Sequence, residues 1–235
     1  MVKRILVLIV AIQFAGCAEL QNVVNNLPGG GLSEAQIGNG LRQALDNGIQ
    51  NQVSKLTSQD GFYRNELVKI LLPEELQAVD NGLRRLGLSN LADEGIKVLN
   101  RAAEDAVKTA TPIFVNAVKG ITFNDAKNIL LGANNAATNY LQAKTQQNLY
   151  QSFNPVIEAS FSKVGADKVW NNLITRYNSI PFVNKVNPDL TDYVTSQALK
   201  GVFTMIEVEE IGIREKVGLR NTALLRQVFA LQDKK

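Results

Sequence analysis

The sequence predicts an all-α (mostly helical) protein, a single multi-helix, bundle-like domain over residues 33–230 with at most one short two-stranded ribbon. Three observations point there. Apolar residues recur every three or four positions over long stretches, as in Ile37, Leu41, Leu45, Ile49, Val53 and Leu56, or Leu190, Val194, Ala198, Val202 and Met205. That spacing puts one stripe of a helix against a core. Helix-start pairs, Ser33 with Gln36 and Thr122 with Asp125, let side chain and backbone satisfy each other's free N–H groups. Only two short segments, Phe62–Leu72 and Ile180–Val186, read as extended. The 235 residues suffice for one large or two small domains. A hydrophobic content of 45% is that of an ordinary globular chain.

In chain order, the first helix opens at Ser33 and runs to Leu56, with amides more than charges on its outer positions, until Asp60-Gly61 breaks it. In Phe62–Leu72, Val68 and Ile70 alternate with Lys69, and Pro73 ends the run. Pro73-Glu74-Glu75 starts a helix, because proline fits a first turn and the helix dipole favours acids there. Leu76, Val79, Leu83 and Leu86 form its buried side and Gly87 ends it. Ser89 opens a long helical segment to Lys119 whose stripe, Leu91, Val98, Ala102, Ala106 and Ala110, is mostly alanine. A second helix can approach such a stripe closely, which places this segment in the middle of the bundle. Pro112 kinks it or splits it in two.

Thr122 to Lys144 is the densest run of small and amide-bearing residues. It reads as helix, tight polar loop, helix. Phe123, Ala126 and Leu130 carry the first stripe, Gly132 stops it, and Asn134 or Asn135 caps the next helix. Ala137, Leu141, Leu149 and Phe153, with Thr145 between them, carry the second. Asp125, Asn134, Asn135, Thr138 and Tyr140 surround the loop and could bind a polar ligand. The plainer reading is that these residues cap helices and form the turn. Antiparallel packing brings the loop toward the flank bearing Asn100, Arg101 and Glu104. The resulting expectation is a polar network of Arg101, Glu104, Asp125, Asn134 and Thr138, structural first and ligand-binding second. A buried Arg101 would need Glu104 as its partner; the alternative is a solvated helix pair.

Asn154-Pro155 reads as a cap and restart, after which Val156, Ile157, Phe161 and Val164 continue the apolar face to Gly165. A short helix follows over 167–177, with Trp170 and Tyr177 as core filling. Ile180–Val186 is the natural ribbon partner of Val68–Leu71. Asn187-Pro188-Asp189 starts the last long helix. Its acidic far end, Glu207, Glu209 and Glu210, with Arg214 four residues after Glu210, reads as a solvated face. Leu224, Leu225, Val228 and Phe229 make a closing helix before a charged tail at 231–235.

The first residues read as targeting rather than fold. Lys3 and Arg4 form a basic start, and Ile5–Ile12 is apolar but too short to span a bilayer. Phe14-Ala15-Gly16-Cys17 follows, and it resembles a bacterial lipoprotein signal over residues 1–16. The resemblance implies that Cys17, the only cysteine, is lipidated and becomes residue one. A lone cysteine also excludes an intrachain disulfide. Residues 17–32 then form a flexible tether ending in Pro28-Gly29-Gly30-Gly31. Ala18 stands where an aspartate usually retains such proteins in the inner membrane. By analogy the domain sits on the inner leaflet of the outer membrane, facing the periplasm.

The composition excludes several functions. With no histidine, Ser-His-Asp and Cys-His nucleophiles and the usual zinc and di-iron sites drop out. No glycine-rich phosphate loop or calcium loop is present, so no cofactor and no metal is expected. With Lys3 and Arg4 set aside from the 25 basic residues, 23 nearly balance the 22 acidic ones, which leaves no footprint for nucleic acid. Glu104, Asp125, Glu209 and Glu210 could supply a carboxylate pair for glycoside hydrolysis, but their spacing does not demand it.

DGFYRNELVKILLP, NRAAEDAV, TFNDAKNILLGANNAATNY, PFVNKVNPDL, DYVTSQALKGVF and EVEEIGIR, in this order over most of Ser33–Phe229, together resemble the domain of unknown function 4197 family of bacterial envelope lipoproteins. The resemblance implies a mostly helical envelope domain and supplies no catalytic residues. Val208 and Gly212 depart from its pattern at the acidic end. The leading expectation is a membrane-tethered, non-catalytic binding or scaffold module with a protein or envelope-component partner. The alternatives are an envelope hydrolase with a carboxylate pair and a lipid carrier with a large apolar cavity.

Overall fold

The computed structural model describes residues 31–233 other than 75, 76, 88 and 183. The leader, Cys17 and nearly all of the tether therefore lie outside the described residues. The chain forms α1 (Glu34–Thr57), α2 (Gln77–Arg85), α3 (Ser89–Val107), α4 (Ala110–Lys119), α5 (Phe123–Leu130), α6 (Ala136–Val164), α7 (Ala166–Asn178), α8 (Leu190–Glu215), a 3-10 turn (Val217–Leu219) and α9 (Ala223–Phe229). It is all-α, with no strand among the described residues.

α6 and α8 pack along each other at the centre. α1 lies against α8, α4, α5 and α9, and α3 lies against α6 and α8. The sequence stripes are the contact faces. Leu41, Leu45, Ile49, Val53 and Leu56 are buried on α1, as are Ala137, Leu141, Thr145, Leu149 and Phe153 on α6. Phe114 and Phe203 meet edge to face at the α4–α8 contact, 6.0 Å between ring centres, the arrangement that suits their ring quadrupoles.

Both capping boxes form. Ser33 accepts from the N–H of Gln36 at 3.3 Å, and Thr122 from that of Asp125 at 3.1 Å. α1 ends in a turn only glycine can complete. A Cβ on Gly61 would lie 2.3 Å from the carbonyl oxygen of Lys55, and Asp60 beside it takes a φ of +63°. That turn drives Phe62 fully into the core against Gly201 of α8, where a Cβ would come within 2.8 Å of the ring.

The ribbon that the sequence allowed does not form among the described residues, and the reason recurs at both segments. The side-chain amide of Asn100 accepts from the N–H of Ile70 and donates to its carbonyl, both at 2.8 Å. The amide of Asn178 does the same for Val186, at 2.9 and 2.7 Å. Paired residues of an antiparallel ladder exchange the same two bonds. Here one helix asparagine replaces the partner strand.

Other boundaries also differ from the sequence reading. The Ser89–Lys119 segment divides at Lys108–Thr109, and Pro112 falls in the first turn of α4, where its missing N–H has no helical partner to lose. α6 does not restart at Asn154-Pro155 but runs through Pro155 to Val164; the turn-earlier residue losing a bond, Gln151, is exposed. Leu86 and Val164, expected to be buried, are exposed. The side chains of Leu76, Val79, Leu83 and Leu91 lie outside the description. At the far end, Gln232 bonds the carbonyl of Arg214 and Asp233 pairs with Arg220, so these tail residues are tied to the domain.

Candidate functional site

The five residues of the expected polar network occupy three places. Arg101 and Glu104 do pair, one turn apart on α3, at 2.8 Å. Arg101 also bonds Asp60 at 2.7 Å, and the second oxygen of Glu104 accepts from the N–H of Phe62. Glu104 is 3% exposed, while a third of the Arg101 side chain reaches solvent. Together with Asn100, this flank holds the 60–70 segment, and among the described residues no bond from it reaches the loop at 132–138.

Asp125 stays with Thr122 on the exposed side of α5. The backbone N–H of Thr122, then its hydroxyl, hold the Asp125 carboxyl below the usual range. Asn134 is exposed. Tyr140 is half-buried with Lys144 over its ring, and burial, then the charge of Asp125, push its phenol up.

Thr138 belongs to a second network. Asn135 precedes α6 but makes no side-chain cap bond. Glu210 of α8 caps the helix instead. It accepts the N–H groups of Ala137 and Thr138 at 2.9 and 2.8 Å and the Thr138 hydroxyl at 2.8 Å, an anion on the positive end of a helix. Arg214 pairs with Glu210 at 2.7 Å and donates to the carbonyls of Ile129 and Leu130, the open end of α5. Both residues are 6% exposed. One ion pair thus closes two helix ends and joins them to α8. This corrects the reading of the acidic end of α8 as solvated: Glu210 and Arg214 are core. Their signal was in the sequence, because Val202, Ile206, Glu210 and Arg214 continue one stripe at four-residue spacing.

Thr138 also opens onto a groove of about 310 Å³ between α6 and α8. Asn139, Gln142, Gln146 and Tyr150 form one wall, Ser196, Lys200, Thr204 and Glu207 the other, and Leu199 and Phe203 line it between them. Ser196, Lys200 and Thr204 repeat every four residues along α8. Their side chains make no hydrogen bond or ion pair among the described residues. The ends are fixed: Asn135 donates to Glu207 at 3.2 Å, and Tyr150 donates to Asp192 at 2.5 Å. That bond, ahead of burial, pushes the Tyr150 phenol up to about 12. The sequence reading did not single out this wall of α8, because Ser196, Lys200 and Thr204 read as ordinary outer positions.

A wider groove of about 420 Å³ runs between α3 and the end of α6, past Arg101, Asp105 and Lys163. A mostly apolar pocket of about 60 Å³ lies among α1, α8 and α9, with Asn47, Asn51 and Glu209 among its lining. Among the described residues no cluster of acids, histidines or cysteines could hold a metal ion, and no helix is long and apolar enough to cross a membrane.

A family model described as a protein of unknown function, DUF4197, matches residues 31–230. No curated protein and no solved structure matches.

Proposed function

We propose that this chain, which belongs to the DUF4197 family, is a membrane-tethered periplasmic binding or scaffold module that carries out no chemistry of its own. One observation carries the reading. Among the described residues the buried charged groups are engaged internally, whereas Ser196, Lys200 and Thr204 line the groove between α6 and α8 without an internal partner. Glu210 bonds through both oxygens to helix N–H groups and Arg214, and Glu104 to Phe62 and Arg101. A general acid or nucleophile has to face substrate, and these carboxylates face their own backbone. Ser196, Lys200 and Thr204 have no such internal duty.

The hydrolase alternative needs two acids across an open cleft; the α6–α8 groove contributes only Glu207, already bonded by Asn135, and the wider groove carries Glu94 and Asp105 on one helix, α3, rather than on facing walls. The lipid-carrier alternative needs an apolar cavity of several hundred Å³, far above the 60 Å³ of the pocket among α1, α8 and α9. The anchor at Cys17 rests on the leader, with Lys3, Arg4, Ile5–Ile12 and Phe14-Ala15-Gly16-Cys17, and the inner-leaflet placement on Ala18. A partner in the envelope is part of the same proposal.

The test is photocrosslinking in intact cells from a photoreactive residue at position 196, with position 163 as the comparison. A discrete adduct from 196 that is missing from 163 is expected. Identical patterns from both positions, or none from 196, would overturn the binding role. Palmitate labelling that persists in Cys17→Ser would overturn the anchor.

A further inference from the structure

We propose that the pocket among α1, α8 and α9 takes a short aliphatic primary amine in its ammonium form. This pocket shares no lining residue with the α6–α8 groove. The charge left open in it is negative. Three charged side chains line it, Glu209, Glu210 and Arg214. A guanidinium has five N–H donors, and Arg214 commits five bonds, two to Glu210 and one each to Ile129, Leu130 and Gln232. Both oxygens of Glu210 are taken, by Arg214 and by the start of α6. Glu209 keeps capacity. Its carboxylate accepts from the side-chain amide of Gln52, and no cation pairs with it among the described residues. An anion would meet this carboxylate and no free guanidinium donor, whereas a cation meets its complement.

The acid is held in position by α1. A Cβ on Gly48, in the middle of that helix, would come within 3.1 Å of the Glu209 Cγ, so the glycine makes room for the Glu209 side chain. One turn on, Gln52 is 2% exposed, and its carbonyl oxygen Oε1 is buried with no hydrogen-bond partner among the described residues. Buried polar atoms are ordinarily partnered. Oε1 shares a carbon with the nitrogen that bonds Glu209, so the two acceptors adjoin. An ammonium offers three N–H donors and accepts nothing. One such head serves the Gln52 carbonyl and the second oxygen of Glu209 together. The rest of the lining sets the body of the ligand. Leu41, Leu45, Ile206, Leu225 and Phe229 are buried and apolar. The volume of about 60 Å³ matches the liquid share of about two waters, room for a stem of about two or three carbons. Water suits the apolar part poorly, because a buried water needs several polar partners.

The experiment titrates the purified full-length protein with n-propylammonium and follows amide shifts by NMR, with 1-propanol and propionate at the same ionic strength beside it. Saturable shifts confined to residues 41–52, 206–214 and 219–229 are expected with the amine, the side-chain amide protons of Gln52 among them. The alcohol should bind about tenfold more weakly or less, and propionate should not saturate. Glu209→Gln keeps an acceptor for Gln52 and removes the charge. It should weaken amine binding about tenfold or more, the loss of a charged hydrogen bond. Asn51 is exposed and lines the pocket, so Asn51→Lys, which sets a competing ammonium beside Glu209, serves if Glu209→Gln melts early, and it should weaken binding similarly. Lys163→Ala, in the groove past Arg101, should bind like wild type. Equal affinity for the alcohol, saturation by propionate, or unchanged amine affinity in both charge variants would overturn the proposal. No saturable shift would overturn it too, and would leave the Gln52 carbonyl to water only. A lysine blocked at both backbone ends that binds more tightly than propylammonium would hand the pocket to a partner's lysine side chain and overturn the free amine.

Discussion

The carboxylate of Glu210 receives the backbone N–H of Thr138 at 2.8 Å, across 72 residues of sequence. This bond makes the start of α6 depend on a residue in the last long helix, and Arg214 extends the dependence to the end of α5. The geometry of the loop between α5 and α6 is therefore set from outside it.

Removing Glu210 leaves the Arg214 guanidinium buried with no carboxylate and strips two helix N–H groups of their acceptor. Glu210→Ala should cost about 3–5 kcal/mol, as for other buried pairs broken from one side. The double variant Glu210→Leu/Arg214→Met should cost less than the sum of the single replacements. Urea unfolding midpoints measure both. A loss below about 1 kcal/mol in Glu210→Ala would mean that water replaces the carboxylate and that the pair is not a structural centre.

Asn100 and Asn178 supply a second test, because each stands in for a strand. Asn100 is fully buried, so Asn100→Ala leaves the N–H and the C=O of Ile70 without partners, at about 1–3 kcal/mol each. Asn178 is half-buried, and its alanine variant should lose about 1 kcal/mol, since water can reach Val186. Hydrogen exchange reports the same event locally. The Ile70 amide should lose protection in Asn100→Ala well before the amides of α8 do. Equal protection in wild type and variant would show that the asparagine does not hold this segment.

These asparagines also show where sequence reading succeeds and where it stops. The stripes of α1, α6 and α8 and both capping boxes were legible, because spacing and local bonding specify them within a few residues. Val68 and Ile70 read as a strand because their backbone groups do need partners in the plane of an extended chain. Nothing local says that the partner is a side chain thirty residues on. Pro155 read as a break because the local rule ignores the exposed position of Gln151. Within the candidate cluster, the Arg101–Glu104 pair was legible from its spacing on one helix. The placement of Thr138 against Glu210 depends on how α6 packs on α8, which periodicity alone does not give.

Asp46 carries the pH prediction. It is half-buried on α1, and one of its carboxyl oxygens has no hydrogen-bond partner among the described residues. Burial pushes its carboxyl above the usual range, with Lys119 opposing. A raised acid pKa means that the folded state holds the proton more tightly than the unfolded chain does. The ionised side chain therefore destabilises the fold increasingly as pH rises through the ordinary carboxylate value toward the raised one, and the cost is absent below both. Asp46→Asn should raise the melting temperature at pH 7 by about 2 °C, and the gain should vanish near pH 3. A gain that persists unchanged at low pH would assign the effect to packing rather than charge.

Arg101 bridges two carboxylates, Asp60 at 2.7 Å and Glu104 at 2.8 Å. Glu104 is nearly inaccessible and its other oxygen already holds the N–H of Phe62, which starts the segment after α1. Arg101→Ala therefore leaves a buried carboxylate with one neutral donor. The cost should fall below that of a fully buried pair, because a third of Arg101 is in solvent and water can follow the truncated side chain. A loss of about 2 kcal/mol is expected. Arg101→Lys should recover only part of it, since one ammonium cannot repeat the planar fork that reaches both acids. Glu104→Gln keeps an acceptor for Phe62, so in that background Arg101→Ala should cost under about 1 kcal/mol. If Arg101→Ala costs the same in both backgrounds, Arg101 acts through Asp60 or through its own packing, and the α3 flank is not organised around Glu104.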